Sequence, residues 1–73
     1  MNIRNQDFYR RIGNKIKKLR IENHFTRERL AEQANISFKF LYEIETGKKG
    51  CSAYVLYRLA QSLNVSADFL MSE

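Results

Sequence analysis

Four residues in one short stretch, Phe38, Lys39, Tyr42 and Glu43, carry side chains able to read the edges of nucleobases. Lys39 can donate to guanine O6 and N7, and Glu43 can accept from cytosine N4. Phe38 can pack on a thymine methyl, and Tyr42 can serve a base edge or a phosphate. Phosphate-binding chemistry surrounds them: Thr26 and Arg27 ahead, Ser37 and Thr46 on either side, Lys48, Lys49 and Ser52 behind. Backbone N–H groups from Ser52 to Tyr54 add an anion site at an expected helix start, reinforced by the helix dipole. An ordinary solvated helix face also carries Lys and Glu, but it gains little from Phe38 and Tyr42 unless something covers them.

Other chemistry is poorly provided for. His24 is the single His and falls at an expected helix end, and Cys51 is the single Cys. They supply neither a nucleophile–base pair nor a metal-ligand set, so no enzyme, metal or cofactor is expected. Cys51 reads best as a packing residue; a redox switch beside the lysine loop is the alternative.

Elements that hold the base-reading residues follow from the run Phe25–Gly47, FTRERLAEQANISFKFLYEIETG. Thr26 and Ser37 are placed as N-caps, offering a side-chain oxygen to orphan backbone N–H groups. Each has an apolar residue before it and Leu four positions after it, so Phe25 can staple to Leu30 and Ile36 to Leu41. Asn35 between them tolerates a left-handed turn. The spacing predicts a helix over Arg27–Ala34, a sharp turn, and a helix from Phe38 to about Thr46 ended by Gly47. In that second helix Leu41 and Ile44 turn inward, Phe40 is a rim residue, and the base-reading set turns outward. Helix, turn, helix is a layout that lets the second helix enter a DNA groove.

The same grammar recurs downstream. Ser52 caps a helix with Val55, Leu56, Leu59, Ala60 and Leu63 inward, ending near Asn64. Ser66 caps a last helix carrying Phe69 and Leu70, with staples Cys51–Leu56 and Val65–Leu70. Upstream, Phe8, Ile12, Ile16 and Leu19 recur at helical spacing and predict a first helix from about Asp7 to Asn23. Gly13 within it marks a close packing contact.

The totals fit one all-α domain. The chain has 73 residues, which buries a modest core. Thirteen Lys and Arg against eight Asp and Glu leave +5, which favours a polyanionic partner, and six of the basic residues lie between Arg10 and Arg20. One Cys excludes an internal disulfide and fits a reducing, cytoplasmic setting. No apolar run has the length of a membrane span, and the N-terminus lacks a signal-peptide core.

Taken together, these residues resemble those of a known family. IGNKIKKLR, FTRERLAEQANIS, LYEIETGKK and LYRLAQSLNVSADFL are similar to the Cro/cI-type helix-turn-helix domain of phage repressors and XRE-like regulators. The resemblance runs from about Ile12 to Leu70, with Leu30-Ala31, Ile36-Ser37, Ile44-Glu45 and Gly47 at the family's spacing. It implies a compact five-helix, lambda-repressor-like domain over residues 1–73, the helix-turn-helix spanning about 26–46. It implies phosphate contacts from Thr26 and Arg27, base contacts from Phe38, Lys39, Tyr42 and Glu43, and a buried Arg20–Glu45 ion pair. The family often has Gln at the first recognition positions, where this chain has Phe38 and Lys39. The loop from Lys48 to Ser52 looks a residue longer than in some members.

A sequence-specific, double-stranded-DNA-binding transcriptional regulator, a repressor acting at an inverted-repeat operator, is the leading expectation. The alternative is an antitoxin- or controller-type module of the same fold that acts through a partner protein. Since the chain stops soon after the last helix, no sensing domain is expected. One such unit contacts few base pairs, so a homodimer on DNA is expected. Phe69, Leu70 and Met71, with Val65 or Tyr54, are the residues expected at its two-fold contact.

Overall fold

The computed structural model describes residues 3–72. They form five α-helices and no strand: α1 (Ile3–Glu22), α2 (Arg27–Ala34), α3 (Phe38–Glu45), α4 (Ala53–Ser62) and α5 (Ala67–Met71). Four of the five starts were legible as caps. Thr26, Ser37, Ser52 and Ser66 have extended backbone, and each side chain accepts from the N–H three residues on. All four staples are seated: Leu30, Leu41, Leu56 and Leu70 are buried, and Phe25, Ile36, Cys51 and Val65 pack against the same core.

Helix ends follow a matching rule. His24, Asn35 and Asn64 adopt positive φ, as does Gly47 at φ 77°. At each, the next residue's N–H reaches back across the last turn: Phe25 to Arg20, Ile36 to Ala31, Lys48 to Glu43 and Val65 to Ala60. This satisfies carbonyls that a helix end leaves orphaned. Three junctions then read left-handed residue, apolar residue, cap. Only the α3–α4 junction is longer, and it holds Lys48 and Lys49.

α1 begins at Ile3, earlier than the expected Asp7. Nothing in Asn5–Gln6 breaks a helix, and no cap at Asp7 stops it from extending. Ile12, Ile16, Leu30, Leu41, Ile44, Leu56, Leu59, Leu63 and Leu70 form the core, with Ala31, Ala34 and Ala60 admitting close helix approach. Phe8, Leu19, Val55 and Phe40 pack at its rim. Gly13 is buried where α1 crosses α3: a Cβ there would collide with the Ile44 carbonyl oxygen and lie 2.9 Å from that of Glu45. The backbones of α1 and α3 therefore touch, which fixes α3 to the longest of the five helices.

Candidate nucleic-acid interface

The site is anchored by a charge that never reaches it. Glu45 is buried with its side chain fully enclosed. Arg20 Nε donates to its Oε2 at 2.7 Å and Arg20 Nη2 to its Oε1 at 3.2 Å. Arg27 Nε donates to Oε1 at 2.8 Å. Arg20 Nη1 also donates to the Phe25 carbonyl at 2.9 Å, tying in the α1–α2 turn. The expected Arg20–Glu45 pair is thus one half of a triad, and it locks α1, α2 and α3 together at the end of α3.

On the outer side of α3, Phe38, Lys39 and Tyr42 are exposed. Two cations approach the Tyr42 ring, the Arg27 guanidinium 5.3 Å and the Lys48 ammonium 5.7 Å from its centroid. The start of α2, the middle of α3 and the α3–α4 loop therefore converge on one aromatic ring. Glu43 is half-buried, with Lys49 Nζ 3.5 Å from its carboxylate.

The expected phosphate groups differ in what they have left to give. Thr26, Ser37 and Ser52 accept cap bonds, from Arg29, Phe40 and Val55, and each hydroxyl proton remains to donate. Thr46 has spent its proton: Oγ1 donates to the Tyr42 carbonyl at 2.9 Å. It contacts a phosphate only by giving up that bond. Arg27 is expected at a phosphate, and its Nε is committed to Glu45. Lys48 and Lys49 are exposed.

Residues expected at a two-fold contact do not form one patch. Leu70 is a correction: it is fully buried, because the short α5 turns this residue into the core, and it has no surface to offer. Phe69 is exposed but faces a groove along α1. Met71 lies across α5, near Phe8, Tyr9 and Ala53, and Tyr54 lies on α4 beside Tyr57 and Gln33. Val65 is half-buried.

Two links had no sequence signal. Lys15 Nζ donates to the carbonyls of Phe69 at 3.0 Å and Ser72 at 2.6 Å, closing the end of α5. Arg58 Nη2 donates to the Gln33 carbonyl at 3.2 Å. Burial pushes the Cys51 thiol up, which leaves it a poor nucleophile at neutral pH. Among the described residues no group of His, Cys, Asp and Glu is placed to hold a metal, and no helix is long and apolar enough to cross a membrane.

A family model described as "Helix-turn-helix domain" matches residues 13–73. The chain belongs to this helix-turn-helix family, of the XRE-like, Cro/cI type. An uncharacterized HTH-type transcriptional regulator of Sinorhizobium fredii, y4dJ, is 32% identical over 60 residues, covering 82% of this chain and 78% of that protein. SinR, described as the master regulator for biofilm formation and solved in complex with DNA, is 31% identical with TM-score 0.80, covering 84% of this chain and 98% of that one. The clp gene regulator ClgR of Corynebacterium glutamicum is 25% identical with TM-score 0.83, covering 86% of this chain and 67% of that one. The helix-turn-helix chain is a DNA-binding transcriptional regulator of XRE type, and family and fold alike are those of regulators, not enzymes.

Proposed function

We infer that this regulator is a cytoplasmic repressor that occupies an inverted-repeat operator as a homodimer, with the first turns of α3 in the major groove. The observation that carries this reading is the division of α3. Leu41, Ile44 and Glu45 are buried, while Phe38, Lys39 and Tyr42 stand exposed, Tyr42 with a cation of each neighbouring element against its ring. Lys39 donates to guanine, Glu43 accepts from cytosine, Phe38 covers a thymine methyl and Tyr42 serves a base edge or a phosphate. Lys48, Lys49 and the cap hydroxyls of Thr26, Ser37 and Ser52 hold the flanking phosphates, with Arg27 contributing charge from its place beside Glu45. Thr46 contributes only if its bond to Tyr42 is released. The two-fold contact draws on Tyr54 and Val65; Leu70 is excluded by burial, and Phe69 and Met71 face other grooves.

Selection of bound sequences from random duplex DNA tests the reading. The expected product is an inverted repeat with half-site centres about 10 bp apart, bound by two chains. A one-to-one complex protecting a single half-site contradicts the dimer, and no enrichment contradicts sequence-specific binding.

A further inference from the structure

A second cationic surface lies on the far side of α1. Gly13 marks the strip of α1 pressed against α3. Arg11, Lys15, Lys18 and Glu22 stand roughly 140–180° around the helix from it, at about 100° per residue. They line an open groove of about 340 Å³ between α1 and α5, with Leu19 and Phe69 as its apolar part. Since α3 contacts α1 on the opposite strip, this charge is not spent on the base-reading face.

Three features set the groove apart from a merely solvated basic face. Phe69 is 48% exposed, a large apolar side chain standing among cations. Its ring is held in place, because Lys15 sits 5.1 Å over it while bonding the Phe69 and Ser72 carbonyls at the end of α5. Arg11 Nε is enclosed and donates to no acceptor among the described residues, while its guanidinium lies 5.5 Å over the Phe8 ring. The groove thus offers a fixed aromatic seat flanked by positive charge. A second copy of this chain is a poor occupant, because a two-fold contact here would press Arg11, Lys15 and Lys18 toward their own equivalents.

We propose that this groove docks an acidic amphipathic helix of a partner protein, its apolar side on Phe69 and Leu19 and its carboxylates on Arg11 and Lys18. From Arg11 to Glu22 the strip runs for three turns, about 16 Å, the length of a short recognition helix. Glu22 closes one end with the opposite sign and sets the direction in which a charge-asymmetric helix lies. The inference does not depend on the operator, and partner and DNA can be bound together.

The test uses the whole chain, isotope-labelled, and a synthetic helical peptide of about four turns with Leu at i and i+4 flanked by Glu. The control peptide carries Lys in place of each Glu. The acidic peptide is expected to shift the amide resonances of Arg11, Lys15, Lys18 and Phe69, leaving Lys39 and Tyr42 unmoved. Lys18→Glu, on an exposed position, should weaken it roughly three- to tenfold, and Phe69→Ala roughly tenfold. Neither variant should alter the salt dependence of DNA binding, and circular dichroism confirms that each is folded. Shifts centred on α3 and abolished by Lys39→Ala would show plain attraction to the DNA-reading face and overturn the proposal. Equal binding of the Lys peptide would overturn it too. Displacement of the acidic peptide from the groove by duplex DNA would make the strip a second nucleic-acid surface, and the proposal would fail.

Discussion

Glu43 and Glu45 lie two positions apart on α3 and are treated in opposite ways. Glu45 has a fully enclosed side chain and three hydrogen bonds from two arginines. Glu43 has 18% of its side chain exposed and one cation at 3.5 Å. Two steps along a helix rotate a side chain by about 200°. One carboxylate therefore falls on the core side, where an uncompensated charge costs several kcal/mol and must be offset by close cations and hydrogen bonds. The other falls on the side where a half-satisfied carboxylate keeps capacity for a ligand. Three bonds from two arginines in full burial mark Glu45 as structural, while Glu43 keeps unused acceptor capacity on the outer side.

The comparison breaks first at Glu45. Glu45→Ala leaves Arg20 buried without its partner and should cost about 3–5 kcal/mol. In a domain of this size the melting temperature should drop by more than about 10 °C. A melt within a degree or so of wild type would place the triad at the surface.

Arg27→Ala should have a smaller effect of two kinds. Its side chain is 26% exposed, so the lost bond to Glu45 should cost about 1 kcal/mol after solvent screening. Affinity for every DNA sequence should fall as well. Loss of affinity with an unchanged melting temperature would show that the Glu45 contact contributes nothing.

Paired removal of Lys48 and Lys49 should leave the melting temperature alone. It should weaken binding to all sequences alike and reduce the slope of log K against log salt by about one unit per lysine. Equal slopes for wild type and variant would remove both from the interface. Glu43→Gln is likewise expected to change stability by no more than about 0.5 kcal/mol by chemical denaturation. A larger loss would make Glu43 structural like its neighbour.

Most of the fold was legible because its signals are local. An apolar residue, a Ser or Thr and a Leu four places on were enough to set four helix starts, and Asn35, Asn64 and Gly47 marked ends. The start of α1 was placed four residues late because the apolar spacing that marks the helix begins only at Phe8. Leu70 was misassigned because a five-residue helix is too short for periodicity to separate it from Phe69. The outer face of α3 could be read from helical spacing. The second partner of Glu45 and the bonds of Lys15 could not, since they join residues 18 to 57 positions apart.

Lys39 offers the most direct test of the claim that the outer face of α3 reads sequence while its inner face only holds it. Bound sequences are selected from random duplex DNA by wild type and by Lys39→Ala, and both proteins are melted. The account predicts equal melting temperatures and a selected half-site that loses its guanine preference at one base pair, worth about 1–3 kcal/mol, with other positions kept. The same selected site from both proteins would contradict it.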